Sequence, residues 1–458
     1  MSTFTGKIFY PNDEGFEEAA VGRVFNGRRP ERRPNAVLLA ENESDLIAGV
    51  QLAKDNGWEV AVRSGGHSWA AWSVRTGTLL IDLGLIQDMS YDPETGIASA
   101  SPAVKGGGVL TPYLQSQGRF FNGGHCPTVG IGGFLLQGGQ GWIQRGWGWA
   151  AESVVAVDVL TAEGEIVRAD ANQNTDLYWV ARGAGPSFPG IVTKFHIQTR
   201  PIYKHAFESV QIFELEEFDQ VMQWMYEVDK PRVSEDVELV IVSVTIPGEN
   251  DEPKRVFVVD ALTLVDSPEQ AAANLAVFQE NPSIERALVN KKCEETTLAA
   301  RREDQDRANP EHWRYFVDNI WVDGEATEII EKISPLFKEL PEPAAFTIWY
   351  SNGLMRPLPD MAFSMQSPAY VATYLLTEDA SHDSANREWL NRAMEHAQSV
   401  TVGQYLGDSD MGNRQLKFMA DENYAKLQEI IATRDPEGLF VRYLASDPAT
   451  VNKNHWEL

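Results

Sequence analysis

Arg63-Ser64-Gly65-Gly66-His67-Ser68-Trp69 and, further along, Gly123-Gly124-His125-Cys126-Pro127-Thr128-Val129-Gly130-Ile131-Gly132-Gly133 are the stretches whose reading decides the fold. In the first, an apolar strand pattern, Glu59-Val60-Ala61-Val62-Arg63, runs into two glycines that present a histidine. In the second, glycine continues through Gly138-Gly139-Gln140-Gly141, and ten of the 26 residues from Gly123 to Gly148 are glycine. Lacking a Cβ, glycine lets backbone N–H groups come close to a ligand. So much of it in an unconstrained loop would be entropically costly to order, so the stretch reads as backbone laid along an extended cofactor. No Gly-Lys-Ser/Thr follows it, and it contains no Gly-x-Gly-x-x-Gly, which excludes a P-loop and leaves a dinucleotide Rossmann turn unsupported. Taken alone, His67 reads equally as a solvent-facing residue after a β-turn, His125 as a turn residue and Cys126 as a buried core thiol.

Outward from these loops, Pro34 to Leu39, Glu59 to Arg63 and Thr78 to Leu83 have strand length and apolar character. Asn42 to Asn56 reads as a helix with Ser44 as its cap and Gly57 past its end. Met89 to Tyr91 and Ile97 to Ala100 flank a turn and read as a hairpin. Val109 to Gln117 reads as a helix, Val154 to Leu160 and Gly164 to Val167 as strands. After about Lys204 glycine thins out. Phe346 to Tyr350 and Ala369 to Leu375 read as strands, Ser381 to Ser399 and Asn413 to Thr433 as helices, and Cys293 is placed in a charged helix. This order predicts an α+β protein in two units.

The 458 residues exceed what one compact core accommodates. With 39 Lys+Arg against 66 Asp+Glu the net charge is −27, which disfavours nucleic acid and acidic lipid surfaces as partners. Two cysteines support neither a disulfide framework nor a cysteine-based zinc site. No apolar run approaches the ~20 residues that cross a bilayer, and Met1 to Asn12 lacks the apolar centre of a signal peptide. A cytoplasmic protein without membrane association is expected.

Together the motifs resemble the vanillyl-alcohol-oxidase type of FAD enzyme (PCMH-type FAD-binding domain), in its berberine-bridge-enzyme-like branch. The resemblance implies an FAD-binding domain of two α+β subdomains over residues 1–203 (core 34–203). It further implies a substrate domain over 204–400, with an antiparallel sheet covered by helices, and a segment 401–458 that returns to the FAD domain. It implies two covalent links to FAD: His67 to the 8α carbon and Cys126 to C6. Arg63, Ser64, Gly65, Gly66, Ser68, Gly124, Thr128, Val129, Gly130, Gly132, Gly133, Gly138, Gly141, Gly190, Ile191 and Val192 would surround the cofactor. Imidazole and thiolate are the side chains nucleophilic enough near neutral pH for such links. His196, His205, His312, His382, His396 and His455 have no comparable glycine context. In this family the residue at Val129's position lies near the flavin carbon to which oxygen adds, and valine there accompanies oxygen use.

The implied reaction is two-electron oxidation of an alcohol or amine carbon of a small, partly apolar or aromatic molecule. Hydride passes to flavin N5, and O2 is reduced to H2O2. Trp147 stands where relatives often have tyrosine and reads as a flat wall of the substrate pocket, with Arg356 and Gln366 as orienting groups. Val402-Gly403-Gln404-Tyr405 stands where relatives often have Tyr-Val-Asn-Tyr, so Tyr405 is retained and Val402 and Gln404 depart. Tyr405 and Tyr374 are the candidate bases, on the condition that a neighbouring positive charge or hydrogen bond lowers a phenol pKa of about 10. Alternatives are an FAD-dependent dehydrogenase, a biosynthetic oxidative cyclase and a flavin-binding carrier or sensor without turnover.

Overall fold

A computed structural model describes residues 4–248 and 252–442. The segment 443–458, which includes His455, lies outside the described residues.

The chain first builds a four-stranded sheet from Lys7–Phe9 (β1), Ala36–Leu39 (β2), Glu59–Arg63 (β3) and Thr78–Asp82 (β4), in the order β1-β2-β4-β3. β2, β4 and β3 run parallel. A parallel strand is covered on both faces, which is why β4 is buried along its whole length. The helix Glu43–Asn56 crosses between β2 and β3. Asn42, not the expected Ser44, caps it by accepting the Asp45 amide at 3.1 Å. Its end is set by Gly57 at φ 65°, left-handed backbone that suits glycine.

A second, antiparallel sheet follows from Met89–Asp92 (β5), Ile97–Ala100 (β6), Val154–Leu160 (β8), Ile166–Asp170 (β9) and Ile191–Gln198 (β10), in the order β5-β6-β10-β8-β9. The short Arg119–Phe120 (β7) pairs with Arg200–Pro201 (β11) beside it. The expected helix 109–117 is shorter, Thr111–Ser116. Pro112 fits only a first helical turn, and a wider turn, Gly106–Leu110, leads into it.

The third sheet has eight strands: His205–Glu214 (β12), Val237–Pro247 (β13), Pro253–Val265 (β14), Val289–Thr296 (β15), Arg314–Val322 (β16), Phe346–Ser351 (β17), Ala369–Thr377 (β18) and Thr401–Gly403 (β19). All its pairings are antiparallel, in the order β15-β12-β14-β13-β17-β18-β16-β19. Cys293 lies on strand β15, not in a helix, because Val289–Thr296 completes the edge of β12. Period-2 alternation splits the faces. On β13, Val237, Leu239 and Ile241 join a core with the helices Phe218–Arg232, Ala326–Lys338 and Asp383–His396, while Glu238, Val240, Val242 and Val244 face the other way. Ile333, Leu336 and Phe337, all with no exposed surface, are worth about 1.5–3 kcal/mol each in that core.

The end of the described chain returns to the first two sheets. Leu427, Ile430 and Ile431, on the helix Asp421–Arg434, enter the core of the second sheet. The Val60 amide donates to the Leu439 carbonyl at 2.7 Å, and Val441 donates back to Val60 at 3.0 Å. The helix expected from 413 begins only at Asp421. Residues 414–416 are instead tied to the large sheet, Arg414 to Asp318 and the Leu416 amide to the Gln404 side chain, while Phe418 and Met419 are buried.

Candidate functional site

Where the two glycine loops face the even-numbered side of the large sheet, they enclose a cavity of about 930 Å³. That is at the upper end of the roughly 300–1,000 Å³ typical of ligand and cofactor sites. It is lined by Val60–Arg63, Gly190–Val192 and Phe440 from the first two sheets and the returning chain, and by Val240, Val242, Val244, Phe346, Ile348 and Trp313 on and beside the large sheet.

His67 and Cys126 both border it. The two loops touch back to back: a Cβ built on Gly65 would lie 2.6 Å from the Gly130 nitrogen, and one on Gly130 would lie 3.0 Å from the Gly65 nitrogen. Gly66 adopts φ 77°, which turns the chain so that His67 follows, and a Cβ there would run into the Arg23 carbonyl. Phe25 stacks on the imidazole at 4.3 Å, and the ring is hydrogen-bonded to the Thr128 backbone. Burial, with Lys105 adding to it, pushes the His67 pKa down to about 3, so the ring is neutral and keeps a lone pair. The Cys126 thiol lies 3.5 Å from the Thr128 hydroxyl, and burial pushes its pKa up.

The supporting residues divide. Ser64, Gly65, Gly66, Ser68, Gly124, Val129, Gly130, Gly132, Gly133, Gly190, Ile191 and Val192 border the cavity. Arg63 borders it too, but its guanidinium is taken up by Asp82 at 2.6 Å and by the carbonyls of Ala19 and Ala20. Thr128, Gly138 and Gly141 do not line it. Thr128 holds the Cys126 thiol, Gly138 packs on the Phe363 ring, and Gly141 abuts the Asn122 carbonyl.

The structure corrects the assignment of the substrate pocket. Trp147 is turned away from the cavity, because it packs edge-on to Phe120 at 5.4 Å under the Arg200 guanidinium at 4.5 Å. Arg356 is ion-paired to Glu152, and Gln366 is held by the Trp149 indole and the Arg356 carbonyl; neither reaches the cavity.

The candidate bases fail the condition set for them. The Tyr405 hydroxyl accepts the Gly139 and Gln140 amides at 3.2 and 3.3 Å, and Tyr374 is hydrogen-bonded to Asp408. Asp408 also accepts Trp69 Nε1 at 3.2 Å and the Tyr370 hydroxyl at 2.8 Å. Burial raises both phenols above their ordinary range, and Asp408, an anion rather than a cation, raises them further. Both hold their protons at neutral pH.

Three cavity groups escaped the sequence reading: Asp408, the Asp260–Arg301 pair and a unit of His125, Glu238 and Tyr350. Glu238 interrupts the apolar run Val237-Glu238-Leu239-Val240-Ile241-Val242 in phase with the outward valines. A charge at that phase was the available signal.

The residues fit FAD. The glycines at 65 and 130 let the two loops pack backbone to backbone beside the cavity, a neutral imidazole and a thiol border it, and the buried Gln140 Nε2 on its wall has no hydrogen-bond partner among the described residues. Comparison with known proteins agrees. Residues 34–170 match the FAD binding domain family. The FAD-linked oxidoreductase janO of Penicillium janthinellum is 34% identical over 424 residues, covering 92% of this chain and 93% of that protein. The chain belongs to the FAD-linked oxidoreductases. Among solved structures, 6-hydroxy-D-nicotine oxidase from Arthrobacter nicotinovorans superposes with a TM-score of 0.83 at 19% identity, covering 97% of this chain and 98% of that one. Berberine bridge enzyme from Eschscholzia californica gives 0.80 at 18%, covering 96% and 95%. This FAD-linked oxidoreductase therefore has the two-domain α+β fold of the vanillyl-alcohol-oxidase type that those structures share. Among the described residues no helix is long and apolar enough to cross a membrane, and no group of three or more His, Cys, Asp or Glu could hold a metal ion.

Proposed function

We propose that the chain is an FAD-dependent oxidase of an alcohol or amine carbon in a small, partly apolar or aromatic molecule, with FAD tethered through His67 and Cys126 and O2 reduced to H2O2. The observation that carries this reading is the contact of Gly65 with Gly130, which sets a neutral imidazole and a thiol on one elongated cavity. Bound FAD supplies the two-electron acceptor and returns the electron pair to O2.

The protein's part is positioning. Residues 4–203, together with 401–442, hold the cofactor, and residues between 204 and 400 roof the cavity. Val240, Val242, Val244, Phe346, Ile348 and Leu376 present an apolar wall that excludes water and suits a hydrocarbon or aromatic portion. A chain of net charge −27 favours neutral or cationic substrates over acids. Val129, on the cavity wall beside the Gly65–Gly130 contact, is a small side chain at the position where the family resemblance associates valine with oxygen use.

The test is anaerobic mixing with benzyl alcohol, 1-phenylethanol, benzylamine and N-methylbenzylamine, followed by admission of air. Bleaching of the flavin, then rapid recolouring with release of H2O2, is the expected result. Recolouring by a quinone but not by air identifies a dehydrogenase, and no bleaching across a widened panel identifies a carrier.

A further inference from the structure

His125 stands directly before Cys126 on the second glycine loop, and its ring borders the cavity. Its Nε2 lies 2.9 Å from Glu238 Oε1. A carboxylate accepts hydrogen bonds and does not donate them, so Nε2 carries a proton, and in the neutral form of the ring Nδ1 is the lone-pair acceptor. Nδ1 has no hydrogen-bond partner among the described residues. Glu238 cannot swing away. Its side chain is 4% exposed, and Oε2 accepts the Ile143 amide at 2.8 Å and the Tyr350 hydroxyl at 3.1 Å. Trp142 packs on the imidazole at 4.2 Å. A buried carboxylate that fixes the tautomer of an imidazole and stabilises its protonated form is what a proton-accepting histidine needs. Glu238 accepts hydrogen bonds from His125, the Ile143 amide and the Tyr350 hydroxyl, three donors that favour an ionised carboxylate able to support an imidazolium. The phenols offer nothing similar: Tyr374 is engaged with Asp408, and Tyr405 with two amides.

We propose that His125 is the general base of the oxidation and that Glu238 is its positioning residue. The proposal rests on the reading above that FAD lies along the two loops. The substrate's O–H or N–H proton passes to His125 Nδ1, and the electron pair of that bond becomes the second bond to carbon. The carbon's hydride carries two electrons to FAD, and the proton held on the ring leaves with those electrons when O2 becomes H2O2. The charged and titratable groups around the ring are Glu238 on β13, Tyr350 on β17, Cys126 on the same loop, Asp408 on the C-terminal segment, and Asp260 with Arg301, which face Glu238.

Two measurements decide it. In anaerobic stopped flow with whichever of the four alcohols and amines bleaches the wild type fastest, His125→Ala should slow reduction about 10²–10⁴-fold at unchanged flavin content. Added imidazole should recover at least about tenfold, as expected when a positioned base has been removed. Glu238→Gln should fall between the two. An undiminished rate in His125→Ala, or a slow variant that imidazole does not rescue, overturns the proposal. The second measurement needs neither turnover nor a folded variant: ¹⁵N-histidine spectra of the wild-type holoprotein across a pH series, with the neutral form of His125 expected to be the Nε2–H tautomer with Nδ1 bare. An Nδ1–H tautomer overturns the proposal. If no compound of the widened panel bleaches the wild type, the oxidase reading is what fails, and the tautomer is read independently of it.

Discussion

Substituting Gly65 by alanine is the sharpest perturbation of the site, because it adds one methyl group where the two loops meet. The new Cβ would sit 2.6 Å from the Gly130 nitrogen and 3.1 Å from its Cα, whereas ordinary contact begins near 3.4 Å. The opposing atoms are backbone, so no side chain can rotate away and the loops must part by about 0.8 Å. Overpacking of this kind costs about 1–3 kcal/mol. The larger effect falls on chemistry, since a misplacement of about 1 Å between reacting groups can cost about 10²-fold in rate. The second covalent tether should therefore form about ten to a hundred times more slowly in Gly65→Ala, whichever bond forms first. The assay is a time course of intact mass after FAD is added to flavin-free protein, with each sample denatured before measurement. Gly123→Ala, on the same loop as Cys126, is the control, because a Cβ there finds its nearest neighbour, Phe121, at an ordinary 3.5 Å. If Gly65→Ala acquires both tethers at the wild-type rate, the two loops do not jointly place the cofactor and the reasoning fails.

Four further outcomes are expected. His67→Ala and Cys126→Ala should each keep FAD through one tether, and the double variant should release it on denaturation. With a pKa of about 3, His67 stays neutral well into mild acid, so Cys126→Ala should form its tether almost independently of pH, whereas the raised Cys126 thiol should make attachment in His67→Ala about tenfold slower per pH unit of acidification. Asp82→Ala leaves the Arg63 guanidinium, with a side chain 1% exposed, without its counter-charge, and should cost about 3–5 kcal/mol, read from the urea midpoint. Tyr405→Phe removes the acceptor of the Gly139 and Gln140 amides and should cost about 1–3 kcal/mol, yet its flavin reduction rate should stay within about tenfold of wild type, because the phenol holds its proton.

Local signals were the legible ones. Val60-Ala61-Val62 followed by two glycines identifies a strand that ends in a tight turn, and the glycines around Cys126 mark close backbone approach without any knowledge of what lies opposite. Family resemblance then connected His67 to Cys126. Legibility ended where a residue's role depends on which distant chain it meets. Trp147 has the composition of a pocket wall, but it is taken up by the Arg200 guanidinium over its ring and by an edge-on contact with Phe120. Residues 413–420 have a helical pattern, but Asp318 and the Gln404 side chain hold Arg414 and Leu416 in an irregular segment instead. Cys293 sits among charges that suit a helix surface equally with the exposed edge of β15, and only pairing with β12 decides. The Glu238–His125 contact spans 113 positions. The alternation of β13 shows that Glu238 faces outward, but nothing local in the sequence reports that a histidine waits there.

Denaturing the purified holoprotein and recording its mass and visible spectrum tests the central claim most directly. A chain heavier by one FAD, yellow after acid precipitation, and singly tethered when either His67 or Cys126 is replaced is the expected result. A colourless precipitate with the mass of the bare chain, from protein that had been supplied with FAD, would contradict it.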